Sequence, residues 1–411
     1  MTPVTVHVPG SKSLANRALV CAALADGPSR LTNLPDGDDT TAMLACLGVL
    51  GVPSEGAAPD VTVAATGRLA PEPGAVAFAG LAGTTSRFVT ALAALAGAPV
   101  VVDGYPPLRG RPFGPLHDAL AVLGVQVTPG GQPGGLPVTI AGPPTGSVVA
   151  LAGDVSSQFV SALMLIGPRL PAGLRIDLTT DLVSRPYVDL TADVMGWFGV
   201  TDVEVGERAI VVPAGRYRPG DVAIEPDASS ASYPLAVAAL TGRSVTVAGL
   251  GSASRQGDAR FADLLAAMGC QVEWQAHSLT VSRDPAVPLL GIDVDMADIS
   301  DLVPTLAVVA ACATTPSRIR GVGFIRAKES DRLGDLAREL TKAGVAITET
   351  DDGLTVEPSL ATLRPAALDT HHDHRLAMAF GVLGRVVTLD IADPGVVSKS
   401  WPAFWQTLAT V

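Results

Sequence analysis

Residues 122–127 read VLGVQV: a leucine-rich segment stops at Gly124 and a run of β-branched residues begins. A glycine that ends a helix and releases a strand is common punctuation when it occurs once. Here it recurs, as CLGVLGV around Gly48, WFGVTDVEV at Gly199, AMGCQVEW at Gly269 and KAGVAITET at Gly344, at spacings of 76, 75, 70 and 75 residues. A period that steady marks a repeated supersecondary unit.

A second set of segments keeps the same period. TTSRFVTALAALAG from Thr84, SSQFVSALMLIGP from Ser156, SSASYPLAVAALTG from Ser229, SDLVPTLAVVAACA from Ser300 and DHRLAMAFGVLG from Asp373 each pair a polar start with an apolar, small-residue helix. The stretch VPGSKSLANR, Val8 to Arg17, opens a sixth. These helices are apolar nearly all round and read as buried. The helices that stop at glycine are more amphipathic and read as outer. Each repeat reads as a helix start, an apolar helix, a strand pair, a second helix ending in glycine and a closing strand, with the last repeat cut short at WPAFWQTLATV. Six repeats divide most simply into two domains of three. The Gly/Pro-rich loops 130–137 and 213–221 are candidate linkers, the second a reasonable crossing point. Three equivalent helices around a pseudo-threefold axis would gather their N-termini at one end of each domain, and two such ends facing each other would form an anion-attracting cleft.

The bulk numbers bound the partners. At 411 residues two domains are the natural expectation. A net charge of −12 argues against a nucleic acid or an anionic membrane. Cys21, Cys46, Cys270 and Cys312 are scattered through apolar segments and read as buried thiols of a reducing compartment. With no secretory n-region and no apolar run of membrane-spanning length, the reading is a cytoplasmic protein.

In so acidic a chain, cations at helix starts are informative. Ser, Thr and Asp there are ordinary caps. Lys and Arg are unfavourable at the positive end of a helix unless an anion offsets them, which singles out Lys12 and Arg375. Arg109 and Arg326 read as ordinary solvated loop arginines. In AKESDR, the residues Lys328, Glu329, Asp331 and Arg332 either cap the following helix or line a site. The run HHDH at 371–374 lacks the spacing of a metal site, because adjacent side chains cannot all face one ion. No P-loop, dinucleotide fingerprint or nucleophile elbow is present.

The motifs PGSKSLANRAL, AGTTSRF, RGRPFGPL, DVSSQFVSAL, SRPYVDLT, DASSASYPLA, RAKESDRL, HDHRLAMAF and VSKSWPAFW, in this order, make the chain resemble the EPSP synthases, the 3-phosphoshikimate 1-carboxyvinyltransferases of the shikimate pathway. The resemblance spans essentially the whole length. It implies an α/β protein of two domains, 1–9 with 227–411 and 10–226, each of three βαβαββ units around a pseudo-threefold axis. It also implies transfer of the enolpyruvyl group of phosphoenolpyruvate to the 5-hydroxyl of shikimate 3-phosphate with loss of phosphate, by addition and elimination. No metal or organic cofactor is implied. The substrates are the expected partners, and a monomer the expected state.

By resemblance, Lys12, Gly83, Arg111, Gln158 and Lys399 take the phosphate side of phosphoenolpyruvate, and Arg332 and Arg375 its carboxylate. Ser13 and Arg17 take the carboxylate of shikimate 3-phosphate. Ser156, Ser157, Ser184 and Lys328 surround its ring and phosphate, with Lys12, Gln158 and Asp301 also in reach and Tyr187 nearby. Asp301 is implied as base toward the 5-hydroxyl and Glu329 as acid toward the methylene carbon, with Lys12 assisting proton movement. Leu81 and Phe324 stand where many members have asparagine, which puts one phosphate hydrogen bond in question at Phe324. Gly83 keeps the open backbone that implies sensitivity to glyphosate. The sister UDP-N-acetylglucosamine enolpyruvyl transferases carry Cys or Asp where this chain has Pro106, five residues before the arginine of the RP loop.

Overall fold

The computed structural model describes residues 3–411. The chain forms two compact units, Gly10–Ile224 and a discontinuous one made of the segment up to Pro9 with Glu225–Val411. Each has its own apolar core.

In the Gly10–Ile224 unit, the helices Lys12–Ala23, Gly83–Ala93 and Ser157–Ile166 pack on one another and are buried almost all round. Alanine, serine and threonine are frequent among their buried residues. Three four-stranded sheets accompany them. In each, two parallel strands are extended by an antiparallel hairpin, as in the order Val76–Phe78, Val100–Asp103, Val138–Ala141, Gln126–Pro129. The first sheet takes its parallel edge strand, Asp221–Ala223, from the far end of the unit, with Val222 opposite Leu31.

The discontinuous unit repeats this around Ala228–Thr241, Val303–Ala311 and His374–Leu383. Here Val4–Val6 supplies the edge strand of the first sheet, pairing parallel with Ser244–Ala248. The last repeat keeps only Ala366–Leu368 and Leu389–Ile391, without a hairpin. The six inner helices anticipated from their polar starts are all present and buried. The order of the remaining elements differs from the residue-level expectation: one strand lies between the two helices of a repeat, and the strand pair follows the second helix. A parallel crossover needs a helix between its strands, whereas a hairpin needs only a turn, so the pair falls after the last helix.

The outer helices Asp38–Val49, Gly114–Val122, Arg185–Trp197, Phe261–Ala267 and Gly334–Lys342 end alike. Two residues beyond each stands a glycine of positive φ: Gly51, Gly124, Gly199, Gly269 and Gly344. The next residue returns its N–H to the carbonyl five positions back, Val52 to Leu47 at 2.9 Å, Val125 to Leu120 at 3.0 Å, Val200 to Met195 at 3.0 Å, Cys270 to Leu265 at 3.0 Å and Val345 to Leu340 at 3.1 Å. These are Schellman ends, and both residues of each pair are apolar and buried. The first repeat therefore ends at Gly51, not Gly48. Gly48 lies inside the helix, where a Cβ would meet nothing, and the first spacing becomes 73 residues.

The loop 213–221 is held within the Gly10–Ile224 unit by buried Tyr217, whose hydroxyl donates to the Leu165 carbonyl at 2.9 Å. The four cysteines are free and buried. Among the described residues, no helix is long and apolar enough to cross a membrane.

Candidate active site

In the Gly10–Ile224 unit, Lys12 is the first residue of its helix, which Ser11 caps. Its ammonium lies 3.1 Å from Asp39, a carboxylate only 4% exposed. The Asp39 carbonyl accepts from Thr85 at 3.2 Å, linking Lys12 to the first turn of the Gly83 helix. Ser13 sits beside Lys12, and its carbonyl takes Nη1 of Arg17 at 2.7 Å. Arg17 is buried. Its Nε donates to Thr191 at 2.7 Å, and Nη2 to Ser161 at 3.2 Å and to the Tyr187 carbonyl at 3.0 Å. Burial lowers its pKa to about 10. Arg17 thereby braces the Arg185–Trp197 helix, which begins at Ser184 in a left-handed conformation (φ 54°).

Gly83 opens its helix, one residue earlier than the capping pattern suggested. A Cβ there would lie 2.8 Å from Nη1 of Arg111 and 2.9 Å from Nη1 of Arg87. Two guanidinium ends thus pack over the bare backbone. Arg87 is clamped between the rings of Phe113 and Phe159, with its carbon 4.9 and 5.3 Å from their centroids. It donates to the Gly83 carbonyl at 3.1 Å, to Gln158 at 2.9 Å and to the Pro112 carbonyl at 3.1 Å. Gln158 in turn donates to Thr84 at 3.2 Å. Ser156 caps the helix that Ser157 and Gln158 begin. Gly83 and Gln158 are thus joined through Arg87, with Arg111 packed over the same glycine. Arg87 stands four residues after Gly83 as Arg17 stands four after Ser13, a parallel that marks it as a buried organiser.

In the discontinuous unit, Arg332 is the hub. Its side chain is 2% exposed, and it donates Nε to Asp373 at 2.7 Å, Nη1 to Asp301 at 2.8 Å and Nη2 to Glu329 at 2.6 Å. The second Asp301 oxygen takes Nη2 of Arg375 at 2.7 Å, and Lys328 stands 3.8 Å from the first. Lys399, nearly buried, is 3.9 Å from Glu329. Burial alone would raise the Asp301 carboxyl, but Arg375, Lys328 and Arg332 hold it far below the usual carboxylate range. Burial lowers the Lys328 ammonium, with Asp301 opposing. Burial also acts to lower Arg332, yet Asp373, Glu329 and Asp301 carry it above its ordinary value. Asp373 caps the His374 helix and accepts from the Arg375 N–H at 2.8 Å.

Asp301 lies on the 3-10 turn Ala297–Leu302, ahead of the inner helix and not in its first turn. Pro304, with no N–H to give, sits where the regular helix begins. The AKESDR segment does both of the things open to it. Asp331 caps the following helix through the Leu333 and Gly334 N–H groups at 3.2 and 3.0 Å, while Lys328 and Arg332 reach Asp301 and Glu329 pairs with Arg332. Arg109 makes an exposed two-point pair with Asp103, and Arg326 is tied to Asp331 and Glu349. The HHDH side chains diverge: His371 meets Glu339, His372 faces Asp393 and His374 is buried. The ring of Phe324 lies 5.9 Å from the Lys328 ammonium.

The sequence pattern does not mark Asp39 or the organising roles of Arg87 and Asp373. Nor does it mark Asp258, a buried acid bonded to Ser229 in the first turn of the Ala228 helix. Burial and the nearby Asp301 push the Asp258 carboxyl up to about 6, against the pull of Arg375.

The sequence model of a family described as EPSP synthase (3-phosphoshikimate 1-carboxyvinyltransferase) matches residues 3–408. The 3-phosphoshikimate 1-carboxyvinyltransferase of Methanoculleus marisnigri is 43% identical over 403 residues, covering 97% of this chain and 94% of its own. That of Nostoc punctiforme is 40% identical over 406 residues, covering 98% and 94%. Among solved structures, EPSP synthase from Acinetobacter baumannii superposes with a TM-score of 0.82 at 25% identity, over 99% of this chain and 95% of that one. The enolpyruvyl transferase NikO from Streptomyces tendae, at 21% identity and a TM-score of 0.78 over 99% and 94%, shares the fold.

Proposed function

The chain belongs to the EPSP synthase family, and from that premise we propose how its two side-chain arrays divide the work. The chain is a 3-phosphoshikimate 1-carboxyvinyltransferase, which moves the enolpyruvyl group of phosphoenolpyruvate to shikimate 3-phosphate. Lys12, Arg111, Gln158, Lys399 and the bare backbone at Gly83 take the phosphate of phosphoenolpyruvate. Arg332 and Arg375 take its carboxylate. Ser13, Arg17, Ser156, Ser157, Ser184 and Lys328 hold shikimate 3-phosphate. Arginine suits the carboxylate because its planar fork pairs two oxygens at once.

The observation that carries this reading is the ring of charges around Arg332. Three enzyme carboxylates occupy its guanidinium, and two guanidinium groups occupy Asp301. A substrate carboxylate reaching Arg332 and Arg375 competes for the same N–H groups. As it takes them, Asp301 loses two of the three cations that suppress its basicity, with Lys328 remaining, and can accept the proton of the attacking 5-hydroxyl. Glu329, released in part from Arg332, gains affinity for the proton it delivers to the methylene carbon. In the elimination a proton of the new methyl group returns to the Glu329 carboxylate as the carbon–oxygen bond to phosphate breaks and the double bond reforms. Lys12 meets the departing phosphate charge.

The scattered buried thiols support a cytoplasmic location. A separate core in each unit supports a monomer. The decisive experiment measures phosphate released from phosphoenolpyruvate with shikimate 3-phosphate as acceptor, against UDP-N-acetylglucosamine. Release is expected with the first alone.

A further inference from the structure

Between the Ala366–Leu368 strand and the His374 helix the chain makes a tight turn whose central residues are both histidines of positive φ, His371 at 49° and His372 at 57°. The Asp373 N–H closes it on the Thr370 carbonyl at 2.8 Å. Two left-handed residues in succession are the pattern of a type I′ turn, for which glycine, asparagine and aspartate are the natural residues. Histidine accepts that conformation at a cost in strain. Its side chain must therefore contribute something that a better turn residue would not.

For His371 the structure shows what that is. Its Nε2 lies 3.1 Å from Oε1 of Glu339, a carboxylate whose side chain is 1% exposed in the Gly334–Lys342 helix. The other Glu339 oxygen accepts from Lys342 at 2.6 Å and from the Asp369 N–H at 2.9 Å. Burial opposes the Glu339 charge, but Lys342, the Asp369 N–H and His371 keep its carboxyl below the ordinary range. A carboxylate can only accept, so Nε2 of His371 carries the hydrogen. The His371 N–H also bonds Asp369 at 2.7 Å, and its Nδ1 lies 3.9 Å from Asp335, one helical turn before Glu339. His372, by contrast, is largely exposed, its imidazole 3.5 Å from Asp393.

The two segments joined by this contact carry the arginines proposed for the substrate carboxylate. Arg332 lies just before the helix that bears Glu339. Asp373 and Arg375 lie just after His371. We propose that His371 is a positioning residue: by tying the strained turn to Glu339, it fixes Asp373 and Arg375 in register with Arg332, and so sets the affinity for the carboxylate of phosphoenolpyruvate. This rests on the assignment of Arg332 and Arg375 made above.

The test compares His371→Asn, His371→Gly and His371→Gln in the full-length chain. Asn and Gly accept positive φ more readily than His, so the turn itself is not penalised, but neither reaches Glu339. Gln carries an amide N–H to about the same distance. In the Asn and Gly variants KM for phosphoenolpyruvate is expected to rise about five- to tenfold, with KM for shikimate 3-phosphate changed by less than about twofold. The Gln variant should fall between them and the parent. An unchanged KM for phosphoenolpyruvate overturns the inference. So does an equal rise for both substrates with earlier unfolding, the mark of a tie that serves only the fold. Arg375→Lys is the control. If it fails to raise KM for phosphoenolpyruvate selectively, the carboxylate assignment fails and takes this inference with it. If it does so while the His371 variants do not, only the inference falls.

Discussion

Arg332 and Asp373, 41 residues apart in the chain, form a pair at 2.7 Å in which neither side chain is more than 2% exposed. Removing one partner of such a pair strands the other in a medium that solvates it poorly, and typically costs about 3–5 kcal/mol. Asp373 also caps the His374 helix. Asp373→Ala is therefore expected to lose stability on that scale in urea unfolding. A loss below about 1 kcal/mol would show that water or another acid replaces it easily.

At Gly83 the added methyl of Gly83→Ala meets the ends of Arg111 and Arg87 at 2.8 and 2.9 Å. Arg87 is stacked between two rings and bonded to three acceptors, so Arg111 is the one that gives way. KM for phosphoenolpyruvate should rise about tenfold or more, because displacement of a charged ligand by an ångström is costly. KM for shikimate 3-phosphate should hold. Equal effects on both would contradict the assignment of Arg111.

Glu329→Gln keeps an oxygen for Arg332 but has no proton to deliver. Equilibrium binding of both substrates should stay within a few-fold while phosphate release falls by about 10² to 10⁴. A variant with full turnover would remove Glu329 from the chemistry.

Asp258 supplies a pH signature. Its carboxyl is pushed up to about 6 from an ordinary 3.8, so its ionisation is harder in the folded chain than in the unfolded one. The stability tied to its proton is fully present below pH 3.8 and is lost as pH rises through about 6, a difference of up to about 3 kcal/mol. Asp258→Asn should therefore match the parent near pH 4 and exceed it in stability at pH 7 and above. Parallel stability curves over that range would refute the shift.

The helix ends can be tested by a pair of substitutions three residues apart. Gly48 is exposed inside a helix with open space at its Cβ, so Gly48→Ala should stabilise by about 0.5–1 kcal/mol. Gly51 has φ +83°, and a Cβ would lie 2.6 Å from the Ala70 carbonyl. Gly51→Ala should cost about 1 kcal/mol or more. Thermal unfolding of the two variants reads both signs. The reverse order would return the helix stop to Gly48.

Much of the architecture was legible in the residues because it is built from local signals. A glycine required by a Schellman end and a polar residue required by a free helix start act over a few positions, so they leave a periodic trace whatever the rest of the chain does. Where two glycines stood close together, at Gly48 and Gly51, the pattern chose the wrong one. The difference between them is a backbone dihedral and a contact with Ala70, and neither is written in the local sequence. The order of strands within a repeat escaped for the same reason, since short β-branched runs do not announce their partners.

The sequence alone determined the period, the six buried helices and the gathering of cations at helix starts, and through its motifs the family. What each cation faces was set by packing: Asp39 against Lys12, Asp301 shared by Arg332 and Arg375, and Arg87 laid over Gly83. Asp301 reaches Arg332 across 31 residues and Arg375 across 74. The strength of such a pair depends on distance and burial, which packing sets after the local structure has formed.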